Sequence, residues 1–170
     1  PTEQFGGDPA DAISRLKATL PIYSDLKHEN LIELIEAKEI GDGFAMVFKW
    51  ADSDCMGRMY PAAHRRFMQL PANDRLAVFS DILSFLECVA SRKYVAIDFY
   101  DGSIMYDFAN GKTTICDIDL FHKQPCVNDM GRMWGSSRFQ SPEEYQLGAD
   151  IDEITNVYTL GATAFALFGE

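Results

Sequence analysis

The stretch Val95-Ala96-Ile97-Asp98-Phe99-Tyr100-Asp101-Gly102-Ser103-Ile104-Met105-Tyr106-Asp107-Phe108-Ala109-Asn110-Gly111-Lys112-Thr113-Thr114-Ile115-Cys116-Asp117-Ile118-Asp119 holds two short apolar runs around Asn110-Gly111. Asn-Gly between such runs is hairpin turn chemistry, because the turn positions demand positive φ. The spacing predicts strands over 104–108 and 113–116. Asp98 stands just before this hairpin and Asp117 just after it. A hairpin folds its ends together, so both carboxylates are expected at one mouth. Carboxylates converging at strand ends can hold Mg²⁺ and orient a hydroxyl nucleophile. Asp is also a common turn residue, and either carboxylate alone would carry no more than that.

Upstream, Leu76, Phe79, Leu83, Leu86 and Ala90 recur at helical spacing, with Val78, Ile82 and Val89 widening the stripe. A stripe that wide predicts a core helix, capped by Asn73 or Asp74. Further back, runs over 31–37 and 44–50 flank Gly41-Asp42-Gly43 and predict an earlier hairpin. Ile13, Leu16 and Leu20 predict a helix over about 9–25, capped by Asp8 or Asp11 and interrupted or kinked at Pro21. Downstream, a helix is expected from about 152, with Val157, Leu160, Ala164 and Leu167 on one face. Helix, hairpin, helix, hairpin, loop, helix is an α+β order, not βαβ alternation.

The chain has 170 residues, with 15 Lys plus Arg against 26 Asp plus Glu, a formal charge of −11. That length suits one domain or part of a larger one. The acidic balance speaks against nucleic acid or an anionic membrane as partner, since both need a basic face. The start, Pro1-Thr2-Glu3-Gln4-Phe5-Gly6-Gly7, lacks the basic and apolar runs of a signal peptide, and without an initiator Met it reads as processed or as a fragment. Cys55, Cys88, Cys116 and Cys126 have no metal-site spacing and read as reduced core packing, which points to the cytoplasm.

Further landmarks fall in order. His28-Glu29-Asn30-Leu31-Ile32-Glu33-Leu34, Ala96-Ile97-Asp98, Ile115-Cys116-Asp117-Ile118-Asp119, Ser141-Pro142-Glu143 and Asn156-Val157-Tyr158-Thr159-Leu160-Gly161 resemble, in turn, the H-P-N-I-V-x-L, H-R-D, D-F-G, A-P-E and D-V-Y-S-L-G segments of protein kinases. On these residues the chain resembles a bacterial serine/threonine protein kinase-like protein, over the middle of the kinase domain.

The resemblance implies a remnant of the N-lobe over 1–51 (helix, two strands, hinge) and part of the mainly helical C-lobe over 52–170. It implies ATP and Mg²⁺ as cofactors and a protein Ser/Thr hydroxyl as acceptor. Asp98 would take or orient the hydroxyl proton, and Asp117 would bind the Mg²⁺ that bridges the phosphates. Ser103, five positions after Asp98, and Asp119 would add metal ligands. Phe48 would be the gatekeeper, Lys49, Trp50 and Ala51 the adenine-binding hinge, and Met105 the floor under the base. Ser136 would sit near Asp98, Trp134 would anchor the activation segment by packing, Glu143 would hold that segment by an ion pair, and Asn156 would hold the catalytic-loop backbone.

The departures are specific. Ile97 replaces the loop Arg, so a phosphorylated activation loop has no cation there to grip. Ser103 replaces Asn, Tyr100 replaces the loop Lys, and Asp119 replaces the Gly after the metal ligand. No Gly-rich loop, strand Lys or helix Glu is present, Thr19 standing at the Glu position. Weak nucleotide binding and negligible transfer by this stretch alone are therefore expected. Two rival readings remain: a pseudokinase serving as a binding or scaffold module, and a small-molecule kinase of the aminoglycoside or choline type, which the Asp117-Ile118-Asp119 pattern fits.

Overall fold

The computed structural model describes residues 8–169. The reading of residues 1–7 lies outside them. Asp8 caps helix α1 (Pro9–Ala18), its carboxylate accepting the Ala10 N–H at 2.9 Å. Thr19 separates α1 from α2 (Leu20–Asp25). Pro21 is tolerated in the first turn of α2, where its missing N–H costs nothing. The single interrupted helix is thus two helices, and only α2 buries side chains, Ile22 and Tyr23.

Strands β1 (Leu34–Ile40) and β2 (Gly43–Phe48) form the first hairpin, with Gly41 at φ 57° in the turn. The first strand begins later than its apolar run suggested. Residues 30–32 are committed elsewhere: the Ile115 N–H donates to Asn30 O at 2.6 Å, and the Ile32 N–H donates to Ile115 O at 2.8 Å. His28 reinforces this segment, its ring standing edge-on to Phe85 at 5.7 Å and its Nε2 lying 3.2 Å from Ser84 Oγ.

Strand β3 (Asp54–Cys55), which no periodicity announced, joins β5 (Ile104–Asp107) and β6 (Lys112–Ile115) in an antiparallel sheet of order β3-β5-β6. Short strand β4 (Tyr94–Val95) pairs with β7 (His122–Lys123), and β8 (Cys126–Val127) with β9 (Asp150–Ile151). Helices α3 (Pro61–Met68), α4 (Ala72–Ser91) and α5 (Glu153–Phe168) complete a mixed α and β architecture with small antiparallel sheets, compatible with the α+β class. Among the described residues no helix is long and apolar enough to cross a membrane. The four cysteines are free and half-buried.

Two helix faces differ from expectation. Helix α4 starts at Ala72, after Pro71 rather than Asn73 or Asp74, and buries Val78, Ile82, Phe85, Leu86 and Val89. Leu76 is 53% exposed and Leu83 37%. The stripe was apolar over so much of the circumference that periodicity could not choose its inner side. Helix α5 buries Thr155, Asn156, Thr159, Thr163 and Leu167, and leaves Val157 69% exposed. Its buried hydroxyls are tolerated where they find acceptors: Thr155 Oγ1 donates to Glu143 Oε1 at 2.7 Å and Thr163 Oγ1 to Thr159 O at 2.8 Å.

At the centre, Phe85 of α4 meets Phe99 and Phe121, with centroids 6.5 and 6.2 Å away, and those two lie 6.3 Å apart. All three rings are buried. Phe99 follows Asp98 directly, and Phe121 lies two residues beyond Asp119. Phe85→Ala should therefore lower stability by about 3–5 kcal/mol, read from the urea midpoint. Leu76→Ala should stay within about 0.5 kcal/mol, although both residues belong to one apolar helix.

Candidate functional site

The hairpin does bring its ends together. Beyond the Ile104–Ile115 pair, the ladder continues by one bond, the Cys116 N–H donating to Ser103 O at 2.9 Å. Asp117 follows at φ 57°. Across the mouth, the loop after β4 carries Asp98 at φ 59°. Among the described residues the only other non-glycine residue with positive φ is Lys93. Left-handed backbone costs an L-residue about 1 kcal/mol or more, least for Asn and Asp. Its appearance at both candidate carboxylates marks them as held by their surroundings.

Asn156 holds the first of these loops from α5. Its Oδ1 accepts the Ala96 N–H at 2.7 Å and its Nδ2 donates to Tyr94 O at 3.0 Å. Asn serves both strands of this clamp because it carries a donor and an acceptor.

Negative charge is concentrated at this mouth. Burial, then the charge of Asp117, pushes the Asp98 carboxyl up from its ordinary value, and the Ser136 N–H partly offsets this. Desolvation by protein packed behind it, then the Asp119 charge, pushes Asp117 up as well. Asp119 Oδ1 accepts the Tyr23 hydroxyl at 2.8 Å. Ser103 is fully buried and its Oγ lacks a hydrogen-bond partner. Cys116 is pushed up to about 12 by burial and the nearby Asp117 charge, so its thiol stays protonated at neutral pH. Asp117 and Asp119 are hard oxygen donors of the kind a divalent cation takes, and among the described residues no group of three or more His, Cys, Asp or Glu side chains is gathered to hold one.

A cavity of about 510 Å³ opens on Asp98, with Tyr100, Trp134, Ser136 and Arg15 in its lining. Trp134 is 67% exposed there, so it does not anchor its segment by packing. That segment is tied instead by Arg138, whose Nη2 donates to buried Asp101 at 2.7 Å, and by Gln140, which donates to Met133 O and Trp134 O. Glu143 accepts from Thr155 and has no ion pair among the described residues. Its neighbour Glu144 is the buried one, closing a capping box with Ser141.

The expected adenine residues are less gathered. Lys49, Trp50 and Ala51 line a separate cavity of about 790 Å³ with Tyr23 and Lys112, and Phe48, Met105 and Asp117 do not line it. The Lys49 N–H is already donated to Glu33 O at 2.8 Å. Trp50 is 87% exposed. Phe48 packs on the ring of Tyr23 with centroids 5.0 Å apart. Met105 is half-buried opposite Thr114. Tyr23, Arg15 and the Arg138–Asp101 pair carried no local signal in the sequence; their roles come from contacts far apart along the chain.

Asn156→Ala would orphan the Ala96 N–H and Tyr94 C=O in the interior, at about 1–3 kcal/mol for each. Denaturant unfolding should show the loss, and the Ala96 amide should exchange hydrogen faster. A second expectation concerns pH. A carboxyl raised in the folded state favours folding while protonated and loses that contribution as pH rises through its folded value. Asp98→Asn and Asp117→Asn should each therefore raise the thermal midpoint at pH 7, with the gain shrinking as pH falls toward about 4.

No protein-family model matches the chain and no curated protein matches it, so the site speaks only through its own residues and geometry.

Proposed function

We propose that this chain is a protein-kinase-like phosphotransferase domain that acts with ATP and Mg²⁺ on a Ser or Thr hydroxyl of a protein, with residues 1–51 as the N-lobe part and 52–170 as the C-lobe part. One observation carries the reading: Asp98 and Asp117, chosen from the hairpin pattern, both hold left-handed backbone at one mouth, where the Asp117 charge helps push the Asp98 carboxyl up. Nothing in turn propensity alone requires both. The free thiols are consistent with a cytoplasmic setting.

In this reading Asp117 binds the cation, with Ser103 and Asp119 as further oxygen donors. Mg²⁺ characteristically takes one or two carboxylates and completes its shell with phosphates and water, and when bound it neutralises phosphate charge during transfer. Asp98, facing the 510 Å³ cavity, receives the acceptor hydroxyl. Its raised pKa brings it nearer to a group that can take or orient that proton. Ser136 lines the same cavity beside Asp98, and its backbone N–H eases the carboxylate's charge.

A second reading, the pseudokinase or interaction module, is favoured by one feature. The hinge residues Lys49, Trp50 and Ala51 share no cavity with Phe48, Met105 or Asp117, and one hinge N–H is consumed. Calorimetric titration of Mg-ATP separates the two. Weak, saturable, Mg²⁺-dependent binding is expected, lost in Asp117→Ala and kept in Asp98→Asn, with negligible transfer by this stretch alone. No binding at millimolar nucleotide would leave only the interaction module.

A further inference from the structure

Tyr23 sits on α2 and Asp119 lies 96 residues later, yet the Tyr23 hydroxyl donates to Asp119 Oδ1 at 2.8 Å. A phenol has one proton to give, and here it is committed to the second residue after Asp117. The side chain is 7% exposed. Its ring leans on Phe48 at 57° with centroids 5.0 Å apart, so the hydroxyl has little freedom to swing away.

We infer that Tyr23 is a positioning residue for the metal loop: it commits Asp119 Oδ1 and so fixes how the carboxylates of Asp117 and Asp119 face a divalent cation. The inference rests on the reading of Asp117 as a metal ligand. Two features support it. Asp117 stands at φ 57°, a backbone state that relaxes unless neighbours hold it. A side chain needed only to fill this space could be Phe, since a buried hydroxyl without a task costs stability. The contact also links helix α2 and Phe48 to the metal loop, so motion of that helix would be felt at the cation.

The test is Mn²⁺ binding, followed by electron paramagnetic resonance, with the full chain and no nucleotide. Tyr23→Phe keeps the ring and removes the hydroxyl. Thr163→Ala, which breaks a buried bond on α5 far from any proposed ligand, controls for loss of stability alone. The expected result is about tenfold weaker Mn²⁺ binding in Tyr23→Phe, with a changed Mn²⁺ line shape and Thr163→Ala unaltered. Wild-type affinity in Tyr23→Phe would overturn the inference, as would equal weakening in both variants. If wild type shows no Mn²⁺ binding that Asp117→Ala removes, the metal assignment itself falls and the inference with it.

Discussion

The contact on which the site depends is apolar. Phe85, Phe99 and Phe121 meet in a closed triangle with centroid distances of 6.5, 6.2 and 6.3 Å. Phe85 belongs to the longest helix among the described residues; the other two belong to the loops that carry Asp98 and Asp119. Removing their rings from water stabilises by about 1.5–3 kcal/mol each, and each ring can stay buried only if its loop takes the observed path. Side-chain burial thus holds the backbone at angles that Asp98 and Asp117 would otherwise leave. Asn156 then sets the finer position of the first loop and Tyr23 that of the second.

Electrostatics works against this arrangement. Asp98, Asp117 and buried Glu144 are all pushed above ordinary carboxyl values, and burial is the first cause in each. The whole chain carries −11, so the wider field brings no relief. Arg138 does not help either, because Asp101 engages it. A bound cation would lower the repulsion directly.

What the sequence made legible was local or strongly patterned. The second hairpin and both acidic residues at its ends could be read before any coordinates, because turn chemistry and spacing fix them; the hold of Asn156 on the first loop was expected only from the resemblance. The inner faces of α4 and α5 could not. Apolar residues surround much of α4, and only the position of Phe85 against Phe99 and Phe121 decides that Leu76 stays outside. On α5 the buried face is rich in Thr and Asn because it serves backbone and carboxylate partners, so hydropathy points to the wrong side. Glu143 and Glu144 are adjacent acids, and the one chosen as the anchor is the less buried. Tyr23 was invisible for another reason: its partner lies 96 residues away, and no periodicity encodes that distance.

The two sides of the site are unequally built, and the inequality bears on function. On the proposed acceptor side, Asp98 opens on a cavity that Ser136, Trp134 and Arg15 also line. The nucleotide side is sparse, with one hinge N–H consumed and the hinge facing a different cavity. Read alone, the second fact favours a module that only binds. But a binding module gains nothing from two mutually repelling carboxylates in left-handed backbone. Gly at either position would relieve both the strain and the repulsion. Stability that a fold forgoes at one place, in residues that face each other across a cleft, is the physical trace of a task. On that balance the carboxylates weigh more than the hinge, which is why the phosphotransferase is the reading proposed and the scaffold the alternative.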